Sequence, residues 1–90
     1  MLTLKIVTPK GAKEDILCDS IILTVADSHN SGGGGQYGIR TGHADSLFAT
    51  ARGKISAKKE GQLIFSEEYG EGFAVCRNNT VTVITESSVF

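Results

Sequence analysis

Short runs of apolar and β-branched residues, cut repeatedly by turn-forming residues, constrain this chain more than any other feature. No segment as long as ~10 residues carries the three-to-four spacing of an amphipathic helix. Leu2-Thr3-Leu4-Lys5-Ile6 alternates apolar and polar, the period-2 pattern of a half-buried strand. Pro9-Lys10-Gly11 supplies a turn, because proline presets φ and glycine closes the bend. Ile16-Leu17-Cys18 and Ser20-Ile21-Ile22-Leu23-Thr24-Val25 read as strands, and Tyr37-Gly38-Ile39 as a short one. Two hairpins follow. One turns at Glu60-Gly61, between Lys54–Lys59 and Gln62–Ser66. The other turns at Arg77-Asn78-Asn79-Thr80, between Phe73–Cys76 and Val81–Thr85, where asparagine tolerates the left-handed region. Ser46–Arg52, bounded by Gly42 and Gly53, fits either a strand or a helical turn or two. Strands recurring at roughly 8–12-residue spacing predict an all-β sandwich or barrel.

Ninety residues make one small domain, read as spanning residues 1–90. A net charge of −1 gives no electrostatic footprint for nucleic acid or an anionic membrane. Lys58-Lys59 and Glu67-Glu68 are short and opposite in sign, so they are read as solvated faces. No run approaches the ~20 apolar residues of a membrane-crossing helix, so any link to a membrane is expected through a partner. Cys18 and Cys76 sit in apolar contexts and are read as reduced core residues.

The chain offers few groups for catalysis. Gly33-Gly34-Gly35-Gln36-Tyr37-Gly38 matches a dinucleotide-binding fingerprint in letters only. That site needs a helix opening at the third glycine, and Gly42 stops one from forming. No Lys-Ser or Lys-Thr follows, which excludes a P-loop. His43, Asp45 and Ser46 are the residue types of a hydrolytic triad, but triads are assembled from distant segments. His29 and His43 lack zinc-ligand spacing. No cofactor, metal or catalytic residue is expected. The aromatics are spread along the chain without basic interleaving, which suits core and interface positions rather than a nucleic-acid platform.

The segment Gly35-Gln36-Tyr37-Gly38-Ile39-Arg40-Thr41-Gly42-His43-Ala44 resembles the G-x-x-G-I-x-P-G-H-A motif of the epsilon subunit of F-type ATP synthases, called delta in mitochondria. Leu4-Lys5-Ile6-Val7-Thr8-Pro9 is similar to that family's opening strand, and Asp19-Ser20-Ile21-Ile22-Leu23 to its second. Gly72-Phe73-Ala74-Val75 with Asn78–Ile84 resembles its closing hairpin. Thr41 stands where the family has proline, Gln36 where it has a carboxylate, and Asp45-Ser46-Leu47 where it has P-L-L. Asp27–Gly34 looks like an insertion. The family's C-terminal two-helix hairpin has no counterpart in these ninety residues, so its inhibitory and ATP-sensing behaviour is not carried over.

The resemblance implies a β-sandwich or flattened barrel of about ten strands. It implies a non-catalytic rotor-stalk subunit that links the gamma shaft to the c ring and couples ion translocation to ATP synthesis or hydrolysis. It would be peripheral, on the cytoplasmic face of the plasma or other energy-transducing membrane. Matching positions imply gamma contacts at Thr8, His43 and Phe48, and c-ring contacts at Gly35, Gln36 and Tyr37. Ordinary core packing is the competing role for Phe48. Rival readings of the chain are a free-standing β-sandwich protein-binding module outside the ATPase and an enzyme using His43.

Overall fold

A computed structural model describes residues 1–25 and 35–86. The expected insertion at Asp27–Gly34, His29 within it, and Phe90 lie outside the described residues. Ten strands occur among the described residues: β1 Leu2–Thr8, β2 Gly11–Ala12, β3 Ile16–Cys18, β4 Ser20–Val25, β5 Gly35–Arg40, β6 Ser46–Thr50, β7 Gly53–Lys59, β8 Gln62–Tyr69, β9 Gly72–Arg77 and β10 Thr80–Thr85. They form one curled sheet in the order β2-β1-β10-β9-β6-β4-β7-β8, with β3 paired to β1 and β5 to β4. The all-β expectation holds, and Ser46–Thr50 resolves as a strand rather than a helical turn.

β1 and β10 run parallel, with Thr3 opposite Thr80 and Val7 opposite Ile84. Every other pairing is antiparallel. Alternation along each strand sends one row inward. Leu2, Leu4 and Ile6 from β1 meet Val81 and Val83 from β10, Ile21 and Leu23 from β4, and Ile39 from β5. Ile55, Ala57, Tyr69, Ala74 and the two cysteines complete the core. Each such aliphatic side chain contributes about 1.5–3 kcal/mol by leaving water.

The turns behave as their residues predict. Glu60 (φ 52°) and Gly61 (φ 78°) are both left-handed, as are Asn78 (φ 50°) and Asn79 (φ 58°). Two left-handed central residues match the twist of a two-residue hairpin. The side chains around these turns then tie distant segments together. Asp19 Oδ2 accepts the Glu60 backbone N–H at 2.7 Å, and Asn79 Oδ1 accepts that of Gly42 at 2.7 Å. At Gly72 the strands approach so closely that a Cβ would run into the Ile84 carbonyl oxygen.

Glu67 departs from the solvated role read from the sequence. It is half-buried, pairs with Lys13 at 3.2 Å and accepts the Tyr69 hydroxyl at 3.0 Å. Lys13 also lies 5.9 Å from the Phe65 ring centroid. These contacts join β8 to the segment following β2, from opposite ends of the strand order, and so close the curl.

Candidate protein-docking surfaces

His43 is set by the turn that follows β5. Gly42 takes φ 86°, and the His43 N–H donates to the Arg40 carbonyl at 3.1 Å. The ring is held at both nitrogens. Nδ1 lies 2.8 Å from the Ala44 carbonyl, which can only accept, so Nδ1 carries the proton. Nε2 then accepts the Tyr37 hydroxyl at 2.7 Å. Tyr37 sits edge-on to His43, with centroids 5.6 Å apart, and tilted against Phe48 at 5.1 Å. Three residues assigned to two interfaces in the sequence therefore form one cluster. Such aromatic pairs contribute roughly 0.5–1.5 kcal/mol beyond their buried area.

Phe48 shares a face of β6 with buried Thr50 and packs partly against the core. Gln36 lies on the opposite face of β5 from Tyr37, since successive side chains alternate. Gly35 and Gln36 are exposed opposite Val25 and Thr24. Thr8 stands apart from the cluster. Its hydroxyl donates to the Gly11 carbonyl and accepts the Lys10 N–H, both at 3.2 Å, so it shapes the β1–β2 turn. Thr8 lies toward the Thr85 end of the parallel pair, whereas Gly42 is tied to Asn79 at the other end. That separation is about 17 Å along the strand.

A second surface was not expected from the sequence. Leu47, Phe73 and Ile84 are 70%, 58% and 50% exposed on the outward side of β6, β9 and β10. Phe73 stands opposite both Ala49 and Ile84, Leu47 opposite Val75, and Val7 opposite Ile84. The available signal was Phe73-Ala74-Val75-Cys76, a strand apolar on both faces, which should be covered on both. At one end of this face a cavity of about 500 Å³ opens, where β6 ends, β9 begins and β10 ends.

Nothing among the described residues assembles into a catalytic or metal site. No group of three or more metal-ligating side chains occurs there. The Ser46 hydroxyl donates to the Ala44 carbonyl at 3.3 Å, and both His43 nitrogens are engaged elsewhere, so no triad forms. Cys18 and Cys76 are free and buried. Burial pushes both thiols up, assisted by Asp19 and Asp45 respectively, and they remain un-ionised at neutral pH. No described helix is long and apolar enough to cross a membrane.

The fold defines the class as a ten-stranded all-β domain with exposed apolar side chains on one outward face. The chain belongs to the family described as ATP synthase, Delta/Epsilon chain, beta-sandwich domain, which matches residues 1–90. A relative, the ATP synthase epsilon chain of Synechococcus sp. (strain JA-2-3B'a(2-13)), is 34% identical over 83 residues. The match takes in 92% of this chain and 55% of the relative, so the chain spans about half that protein's length. A solved structure, the cryo-EM central stalk and c-ring of the Tetrahymena thermophila mitochondrial ATP synthase, shares the fold. Its TM-score is 0.70 at 12% identity, over 96% of this chain and 63% of the matched one.

Proposed function

We propose that this domain is a central-stalk subunit of an F-type ATP synthase, joining the gamma shaft to the ring of c subunits. It makes no chemical bond; it passes torque between ion-driven ring rotation and the catalytic head. A densely packed sandwich suits that role, since such interiors have low compressibility and transmit strain. The observation that carries the reading is the Gly35–Ala44 segment. This is the stretch most like the family's motif, and in the fold it builds the Tyr37–His43–Phe48 cluster.

His43 faces gamma, with Phe48 supporting the cluster from beneath, and Tyr37, expected at the c ring with Gly35 and Gln36, joins the two sets through its bond to His43. Gly35 and Gln36 meet the polar loops of the c ring, where a neutral Gln36 makes a weaker hydrogen bond than a carboxylate would. Thr8 contacts gamma only if that partner runs the length of the sheet. The domain is peripheral to the membrane, on the cytoplasmic face.

Co-purification with the cognate gamma subunit tests this. The expected result is a stoichiometric complex that survives gel filtration and is weakened by His43→Ala. A folded chain that leaves gamma unbound overturns the reading and favours a binding module outside the ATPase.

A further inference from the structure

Asn79 is tied to three separate parts of the fold. Its left-handed backbone, at φ 58°, forms the turn between β9 and β10. Its carbonyl accepts the Thr3 N–H at the start of β1, at 2.9 Å. Its side-chain Oδ1 accepts the Gly42 N–H, 37 residues away in sequence, at 2.7 Å. The first two ties hold the residue in place. The third reaches the turn that carries His43.

That turn runs from Arg40 to His43 and closes through the bond from the His43 N–H to the Arg40 carbonyl. Gly42, in its third position, takes φ 86°, while Thr41 is not left-handed, which is the combination of a type II turn. Types I and II differ by a flip of the peptide between the two central residues. The Gly42 N–H belongs to that peptide, so a group that holds it selects the turn. Thr41 does little to preset the conformation, since proline at this position would fix φ and threonine does not. Packing does not preset it either: beyond its chain neighbours, no atom lies within 4 Å of where a Gly42 Cβ would stand. The bond to Asn79 is therefore the contact that selects the peptide's orientation. From that turn His43 brings Nε2 to Tyr37 and Nδ1 to Ala44.

We infer that Asn79 is a positioning residue for the His43 contact face: its amide oxygen holds the Thr41–Gly42 peptide and, through it, the ring that docks. The inference deepens the reading of His43 as a gamma contact and rests on it.

Four variants test the role. Asn79→Gly keeps the left-handed backbone, which glycine adopts readily, and removes the acceptor. Asn79→Asp keeps an acceptor and tolerates the same φ. Asn78→Gly alters the neighbouring left-handed residue, which is not the acceptor. Thr41→Pro, added to Asn79→Gly, presets the turn without the bond. Each is read by the imidazole ¹⁵N shifts of His43, by exchange of the Gly42 amide proton and by affinity for the cognate gamma subunit. Asn79→Gly should move the ring ¹⁵N shifts toward tautomer averaging, speed Gly42 exchange and weaken gamma about tenfold. Asn79→Asp should keep the wild-type ring signals and most of the affinity, and Thr41→Pro should restore both. Asn78→Gly should leave both unchanged. Wild-type ring signals in Asn79→Gly overturn the role, as does a disturbance that Asn78→Gly reproduces or that neither Asn79→Asp avoids nor Thr41→Pro repairs. A wild-type chain that ignores gamma while His43 responds as expected removes the stalk reading and leaves the positioning role. Intact gamma binding with an indifferent Asn79→Gly does the reverse.

Discussion

Tyr37 donates its hydroxyl to Nε2 of His43 across 2.7 Å, using the nitrogen left free to accept once Nδ1 donates to the Ala44 carbonyl. Tyr37→Phe removes the bond while keeping the ring against Phe48. The expected loss is about 0.5–1.5 kcal/mol by denaturant unfolding, with the strand pattern unchanged in circular dichroism. Weakened gamma binding in the same variant would show that the orientation of His43, and not only its presence, matters at the interface.

Phe48 and Phe73 separate the two uses of an aromatic side chain. Phe48 packs against Tyr37 and the core, so Phe48→Ala should lower stability by about 2–4 kcal/mol. Phe73 is 58% exposed, so Phe73→Ala should leave stability within about 0.5 kcal/mol. If the proposed stalk partner covers this face, the effect of Phe73→Ala is expected in binding, where loss of a central aromatic costs about 2 kcal/mol or more. Unfolding and gamma-binding measurements on the two variants check the division.

Gly72 and Gly38 make a second contrasting pair. At Gly72 a methyl group would collide with the Ile84 backbone, which cannot move aside as a flexible side chain would. Gly72→Ala should destabilise by about 2 kcal/mol or more. Gly38 has open space at the same position, so Gly38→Ala should be neutral or stabilise by about 0.4–1 kcal/mol through the unfolded chain. Thermal melts of both variants decide the matter.

Alkaline pH should weaken the fold in stages. Burial raises the Cys18 and Cys76 thiols above 9.0, and raises the Tyr69 phenol above 10.0, aided by Glu67. A group with a raised folded pKa holds its proton longer when folded. Its contribution is full below the unfolded pKa and is lost as pH climbs toward the folded one. Stability should therefore fall from about pH 9 and more steeply past pH 10. Tyr69→Phe should remove the steeper part, as urea titrations from pH 8 to 11 would show.

Thr50→Val tests the cost of a buried hydroxyl without a partner among the described residues. It replaces an unpartnered hydroxyl with a methyl group of the same shape, so the melting temperature should hold or rise.

Legibility in the sequence followed the range of the interactions. Leu2-Thr3-Leu4-Lys5-Ile6 announced its strand through alternation alone, and the Asn78-Asn79 and Glu60-Gly61 turns through local backbone preference. Ser46–Thr50 stayed ambiguous because its strand state comes from pairing with β9, a partner distant in sequence. The strand after Glu60-Gly61 reads in the sequence as ending at Ser66, with Glu67-Glu68 on a solvated face. In the fold they extend β8, since Glu67 finds Lys13 and Tyr69 turns inward. The motif located His43 and Tyr37 but could not show that they touch, because the turn at Gly42 folds one back onto the other. The apolar face of Leu47, Phe73 and Ile84 needed three strands in register before it existed at all.

The parallel seam between β1 and β10 has a consequence for synthesis on the ribosome. Leu2–Thr8 is made well before its parallel neighbour Thr80–Thr85. At about 5–20 residues per second, β1 waits several seconds with one edge bare. Only β2 and β3, its near neighbours in the chain, can pair with it in the interval. The seam between β1 and β10 therefore closes late. A ribosome stalled before Thr80 should hold a nascent chain that proteases cut readily, and emergence of Thr80–Thr85 should abolish that sensitivity.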